Sequence, residues 1–216
     1  MTEPIRGTLD VILKQDSDNS PTCVYNEMVA LRLAQRLGVP LAMGVPSVGD
    51  GGTYFASLTV GGLSINLPNI TEKKMAAVAK RYPSDAAALF VFDVWVMNDD
   101  RTDNLKANLT PAVVHLVAGI DHEQTLLGTR GDMKDSLQAL GNLEVPGRHP
   151  LREHVLEKLV AEWVKRIGAL DDGTIDDAVV LGFSVSGVHE RTQRKLADVL
   201  KTRRERIADL VVRACA

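Results

Sequence analysis

Residues 86–97 read AAALFVFDVWVM, a run of apolar side chains interrupted by one carboxylate. Ser84 and Asp85 stand just before it and offer side-chain oxygens as N-caps. A helix apolar on almost every side has no face to give to water and belongs at the centre of a domain. The run is too short to cross a bilayer, which takes about 18 or more apolar residues. The rest of the chain must therefore cover it. Asp93, inside the run beside Trp95, needs a partner, because an unpaired buried carboxylate is costly. The expected partner is the backbone of the polar segment that follows, Asn98–Asn104, which Asp93 would then support.

With 216 residues, 45% of them hydrophobic and 25% charged, the chain has the balance of a globular protein. That length gives one domain, or one domain in two lobes. The composition excludes collagen, a coiled coil and bulk disorder. A net charge of -3 supplies no bulk attraction to nucleic acid or to an anionic membrane. The first ten residues lack the basic and apolar regions of a signal peptide, so a cytoplasmic location is expected. Cys23 and Cys215 lie near opposite ends, form no CxxC pair and are expected to be unpaired thiols.

The first 66 residues read as strand, helix and strand. Thr8–Lys14 alternates, with Leu9, Val11 and Leu13 on one face and Asp10, Ile12 and Lys14 on the other. Val24–Leu37 has helical spacing and stops at Gly38 and Pro40. Thr53–Val60 alternates again, and Gly61, Gly62 and Pro68 then punctuate the chain. Residues 67–216 read as mainly helical. A short helix is expected at Thr71–Arg81, then the buried helix from about Ala86. A hairpin is expected from Leu109 and Val113–Ile120, turning at Thr110–Pro111. Residues 128–150 hold six glycines and prolines and suggest an irregular loop with a short helix. Leu151–Ala169 and Glu190–Ala214 read as helices. The eight basic residues between Arg191 and Arg213 are interleaved with acids, the pattern of a solvated face.

Two polar clusters stand out. Asn98-Asp99-Asp100-Arg101-Thr102-Asp103-Asn104 packs three carboxylates and two amides into seven residues. Gly119-Ile120-Asp121-His122-Glu123 ends an apolar strand, which would fix Asp121. Carboxylates and amide oxygens at such positions suit a hard cation such as magnesium, and Asn104 and Asp121 could converge on one ion. The first cluster could equally be a solvated, self-capping loop. Phosphoryl transfer needs a cation for the phosphates, a carboxylate for magnesium and a carboxylate for the acceptor hydroxyl. Lys14, Glu27, Asp100, Asn104 and Asp121 supply such a set in the order found in kinases.

The segments VILK (Val11–Lys14), NEMVALRLAQRLGVP (Asn26–Pro40), FDVWVMNDDRTDNL (Phe92–Leu105) and GIDHEQTL (Gly119–Leu126) together resemble the HipA-like kinases, and more distantly the phosphatidylinositol kinases. The resemblance implies an α+β, two-lobed kinase-like fold: a reduced, strand-containing N-lobe and hinge over residues 1–66, and a larger helical C-lobe over 67–216. It implies ATP and Mg2+ as cofactors and transfer of the γ-phosphoryl group to a hydroxyl, Ser or Thr of a protein substrate. Lys14 would contact the phosphates and Glu27 would hold Lys14. Asp100 would orient the acceptor hydroxyl or take its proton, and Asn104 and Asp121 would bind magnesium. Arg101 would neutralise local carboxylates or touch a phosphate. Phe55, Ser57, Leu58 and Thr59, in a hinge running to Gly61, would offer backbone groups to adenine.

Three departures from the family pattern matter. Asn104 follows Asp100 by four residues where the family has five, so Asp99 is a second candidate for the catalytic carboxylate. No glycine-rich loop precedes Lys14, only Gly7. Glu123 stands where a glycine is common. Two other functions compete with the kinase. One is a pseudokinase that binds nucleotide or a partner without turnover. The other is a metal-dependent phosphohydrolase using Asp99, Asp100, Asp121 and His122. His115 and His122 read as structural or solvent-facing. The short N-lobe leaves room for a partner chain that completes or regulates it.

Overall fold

The computed structural model describes residues 8–62, 65–110 and 115–216. Gly7 and the expected hairpin turn at Pro111, with Val113 and Val114, lie outside them. The fold is α+β, a strand-containing N-terminal region followed by a larger helical one, in a two-lobed kinase-like arrangement.

Strand β1 (Val11–Lys14), helix α1 (Cys23–Leu37), β2 (Gly44–Gly49) and β3 (Gly52–Leu58) build the first region. The sheet is antiparallel with β3 in the middle, and its register sets Lys14 opposite Phe55 and Pro46 opposite Phe55 from the other side. Strand β2 was not expected, because its sequence, GVPSVG, is rich in turn residues. It pairs nonetheless, closing a hairpin across the Gly49–Gly52 turn. Its first residue must be glycine: a Cβ on Gly44 would lie 2.4 Å from the Phe55 ring.

Helix α1 is buried on nearly every side, exposing Arg32, Gln35, Arg36 and little else. Its N-terminus takes a cap from a distant residue, for Val24 N–H donates to Asp16 Oδ1 at 3.0 Å. At the other end Gly38, with φ 73°, turns the chain out in the left-handed conformation that glycine adopts without strain. A short pair, β4 (Gly61–Gly62) and β5 (Ile65–Asn66), then leads to α2 (Met75–Arg81), preceded by one 3-10 turn at Glu72–Lys74.

Helix α3 (Pro83–Val96) is the buried centre, with every residue from Ala86 to Val96 out of contact with water. It begins three residues before Ala86, because Pro83 fits the first turn, where its missing N–H costs nothing. Ser84 and Asp85 are therefore inside that turn rather than caps, and Asp85 instead pairs with His115 at 2.9 Å. Strands β6 (Leu105–Ala107) and β7 (Val117–Gly119) pair antiparallel; the second falls within the expected Val113–Ile120, but the first ends before Leu109, where its partner was expected. Gly119 also ties the two regions together: its N–H donates to Pro40 O at 2.8 Å, and its carbonyl accepts from Ala42 N at 2.9 Å.

Of the remaining helices, α5 (Glu157–Gly168), α7 (Glu190–Glu205) and α8 (Ile207–Cys215) pack on α3, while α4 (Met133–Gly141) and α6 (Asp172–Val179) pack on α7. Helix α5 starts six residues later than expected, after a stretch of turns at 150–154. Helix α6 was not anticipated; Asp171 caps it by accepting from Thr174 N at 2.8 Å. The long C-terminal helix is broken in two at Arg206.

Arg203 departs from the solvated-face expectation. It is wholly buried, and its guanidinium donates to the carbonyls of Trp95 (2.8 Å), Val94 (2.8 Å) and Leu140 (3.1 Å). Two of those carbonyls end α3 and have no partner within the helix. A cation is also the charge favoured at that end. Other basic residues on these helices pair with neighbouring elements, among them Arg204 with Asp172 and Lys201 with Asp176, each at 2.7 Å, or within their own turn, as Arg194 does with Glu190. Replacing Arg203 by Met would strand three buried acceptors, and we expect urea unfolding to show a loss of roughly 3 kcal/mol.

Candidate active site

The site begins with one buried ion pair that fixes a loop. Asp93, in α3, accepts from Arg101 twice: Nε to Oδ2 at 2.7 Å and Nη2 to Oδ1 at 2.8 Å. Asn98 Nδ2 donates to Oδ1 at 3.0 Å, and His149 Nε2 lies 2.9 Å from Oδ2. His149 Nδ1 accepts from Leu151 N–H at 3.2 Å, which places the ring proton on Nε2, facing the carboxylate. Asp93 is thus buried and paired as the sequence required, but through side chains rather than the loop backbone. Burial alone would raise its carboxyl; the Arg101 guanidinium and the His149 bond more than reverse this and hold it well below the usual range.

Arg101 uses all its donors inside the protein. Besides the two bonds to Asp93, Nη1 donates to Asn104 O (2.7 Å) and Ile120 O (3.1 Å), and Nη2 reaches His122 Nε2 at 3.0 Å. It neutralises a carboxylate, and it touches no surface where a phosphate could bind. Gly119 makes room for it, since a Cβ there would lie 2.8 Å from Arg101 Nη1. Burial and the adjacent guanidinium push His122 well below its ordinary value, so the imidazole is neutral and accepts from Arg101.

Around this support the expected residues gather. Ile120 N–H donates to Asn104 O at 3.0 Å, which sets the ends of β6 and β7 side by side and brings Asn104 next to Asp121. Asn104 Nδ2 donates to Asp100 O (2.9 Å) and to Asp100 Oδ2 (3.0 Å), while Asp100 N–H donates to Asn98 Oδ1 at 3.0 Å. Burial and the nearby charge of Asp121 raise the Asp100 carboxyl. Lys14 Nζ lies 2.5 Å from Glu27 Oε1 and 3.0 Å from Asp121 Oδ1. Burial alone would lower Lys14, but the two carboxylates raise it above 10.5, so it stays an ammonium. Glu27 Oε1 also accepts His122 N–H at 2.7 Å. Two groups of side chains result, Lys14 with Glu27 and Asp121, and Asp100 with Asn104, set beside one another by the Ile120–Asn104 backbone bond.

Asp99 points elsewhere. Its Oδ2 pairs with Arg130 at 3.1 Å and its Oδ1 accepts Gly147 N–H at 2.8 Å, while Arg130 also pairs with Glu144 at 2.8 Å. The hinge candidates sit mostly inside the sheet. Phe55 belongs to the core, and Ser57 is 8% exposed. Backbone groups from Phe55 to Ser57 are paired with β1 and β2 on both sides. Leu58 N–H donates to Met43 O (2.7 Å) and Thr59 N–H to Asp10 O (3.1 Å). The Leu58 and Thr59 N–H groups are therefore already paired within the N-terminal region.

Three contributors, Asn26, His149 and Arg130, were assigned no role in the sequence analysis. Asn26 joins α1 to the Asp121 loop, donating to Thr22 Oγ1 (3.0 Å) and Glu123 O (2.9 Å). Gly128 must be glycine there, for a Cβ would meet Glu123 O at 2.2 Å and Asn26 Nδ2 at 2.7 Å. The position of Asn26 beside Glu27 was its one visible signal. His149 and Arg130 lie in segments whose glycines and prolines gave no pattern to read.

The residues fit a hard cation in part. Asp121 Oδ1 is buried and receives no well-directed hydrogen bond, although Lys14 is within ion-pair reach. Among the described residues no group of three or more His, Cys, Asp or Glu could hold a metal by itself. Magnesium is typically bound by one or two carboxylates together with substrate phosphates and water. The hydrolase reading fits less well, because His122 is turned inward onto Arg101.

No protein-family model matches the sequence, and no curated protein matches it. Solved structures do. The Helicobacter pylori proinflammatory kinase CtkA superimposes with a TM-score of 0.64 at 13% identity, over 98% of this chain and 89% of that one. A chain of the Shewanella oneidensis MR-1 toxin–antitoxin complex of HipA, HipB and operator DNA gives a TM-score of 0.60 at 11% identity, over 89% of this chain and 57% of that one. At these identities the likeness is one of fold, the kinase-like fold of the HipA group.

The Asp93–Arg101 pair gives a pH prediction. Its folded carboxyl titrates below the unfolded value of 3.8, so the stability it contributes is complete above that value and is lost as pH falls further. Asp93→Ala would leave Arg101 buried without a counter-ion, at a cost of about 3–5 kcal/mol near neutrality. Chemical denaturation from pH 7 to pH 2.5 should show the variant's deficit shrinking below about pH 4.

Proposed function

We propose that this chain is an ATP- and Mg2+-dependent phosphotransferase of HipA-like type that transfers the γ-phosphoryl group to a hydroxyl, Ser or Thr of a protein. The observation that supports this most is the convergence of Lys14, Glu27, Asp100, Asn104 and Asp121 on a fold shared with kinases. When bound, magnesium would neutralise phosphate charge and hold the phosphates in line. Asn104 and Asp121 would hold it. Lys14, kept charged and aimed by Glu27, would bind the phosphates. Asp100, tethered by Asn104, would orient the acceptor hydroxyl and take its proton as the oxygen attacks phosphorus and the bridging bond to ADP breaks. Asp99, engaged with Arg130 and Gly147, would position the neighbouring loop. The nucleotide would lie between an N-lobe ending near residue 66 and the helical lobe.

A partner chain belongs to the same proposal. Leu9, Leu13, Met43 and Val45 leave much of the outer sheet surface apolar and exposed. The HipA structure of similar fold was solved as a complex with HipB. A protein that completes the N-lobe would sit there. A pseudokinase is the second reading, favoured by Lys14 being already satisfied by two carboxylates.

Incubation with Mg2+ and γ-labelled ATP, alone and with cell extract, tests the proposal. We expect label on protein, lost in Asp121→Asn, reduced roughly 100-fold or more in Asp100→Asn, and retained within about tenfold in Asp99→Asn. Nucleotide binding without any label would support the pseudokinase, and free phosphate without protein label would support hydrolysis.

A further inference from the structure

We propose that Lys14 is the resident counter-ion of Asp121, so that cation and nucleotide binding are coupled through one lysine. The inference rests on the phosphotransferase reading and concerns how its site is kept before ligands arrive. Lys14 Nζ touches two carboxylates, Glu27 at 2.5 Å and Asp121 at 3.0 Å. The two are held differently. Glu27 is fixed from a second side by His122 N–H at 2.7 Å. Asp121 Oδ1 is buried and gets no directed hydrogen bond, so the ammonium is its main neutralising contact. Asp121 also holds φ 56°, a left-handed conformation a non-glycine residue adopts at some cost, and the chain there keeps the carboxylate turned to Lys14.

Two consequences follow from charge alone. A divalent cation approaching Asp121 meets a fixed positive charge about 3 Å away from the same oxygen, which weakens binding of the cation by itself. A phosphate chain reverses this: it offers Lys14 another anion and bridges to the cation. Lys14 can swing towards phosphate while it remains on Glu27, because that partner is fixed independently. By linkage the cation then strengthens nucleotide binding by the factor with which nucleotide strengthens cation binding. Lys14 therefore discriminates against a bare cation as well as binding phosphate.

The test uses the full chain and Mn2+ alone as a paramagnetic probe, read by electron paramagnetic resonance without nucleotide. Lys14→Met by itself would leave Glu27 buried and unpaired, so the variant is the double substitution Lys14→Met with Glu27→Gln, whose amide oxygen can still accept His122 N–H. We expect it to bind Mn2+ roughly tenfold tighter than the wild type, and Asp121→Asn on that background to abolish the gain. Glu27→Gln alone should move the other way, since Lys14 then has Asp121 as its main anionic partner. Circular dichroism confirms that each variant is folded. Equal Mn2+ affinity in the wild type, the Lys14→Met/Glu27→Gln double variant and Glu27→Gln alone, with Mg2+–ATP still bound by the wild type, would overturn this inference and leave the phosphotransferase reading standing. A wild type that binds no nucleotide with or without cation would overturn both.

Discussion

The Asp93–Arg101 ion pair is the interaction on which the candidate site depends. It is wholly buried, and that alone makes it expensive, for desolvating both charges costs several kcal/mol per ion before any attraction is counted. The surroundings meet the cost by satisfying the hydrogen-bonding capacity of both groups. The carboxylate accepts from Arg101, Asn98 and His149, and the guanidinium spends its remaining donors on Asn104 O, Ile120 O and His122. The result is a rigid point in the core from which three stretches of backbone hang: the end of α3, the loop to β6, and the end of β7. Asp100, Asn104 and Asp121 are carried by those stretches, so their spacing is set by a buried pair that faces none of the open surface.

A second constraint comes from the N-terminal region. Lys14 and Glu27 reach the cluster only because α1 is buried against the helical region and Gly119 bonds to the backbone at Pro40 and Ala42. Glu27 and Asn26, neighbours in one turn of α1, bind the backbone just after Asp121, at His122 N and Glu123 O. Helix and loop are thereby clasped twice. A shift of α1 would change the Lys14–Glu27 pair and the Asp121 position together.

The sequence showed the parts of this whose signal is local. The all-apolar run at 86–97 marks a buried helix because no other environment suits it, and a carboxylate inside it demands a partner. The order of Lys14, Glu27, Asp100, Asn104 and Asp121 pointed to one site. Long-range features were not legible. Strand β2 has almost no strand character and exists because β3 offers an edge and Phe55 needs a glycine above it. Arg203 looked like one of several surface cations, and the orphaned carbonyls at the end of α3 that recruit it belong to residues over 100 positions away. The choice between Asp99 and Asp100 as the residue facing the cluster was also invisible, because it turns on Arg130 and Gly147, which spacing does not relate to either.

The most direct test of the central claim is a crystal structure of the protein with Mg2+ and a non-hydrolysable ATP analogue. The account predicts a metal ion about 2.1 Å from oxygens of Asp121 and Asn104, with Lys14 Nζ on a phosphate and still against Glu27, and Asp100 facing the terminal phosphate. A nucleotide bound away from these five side chains, or a metal held without Asp121, would contradict it.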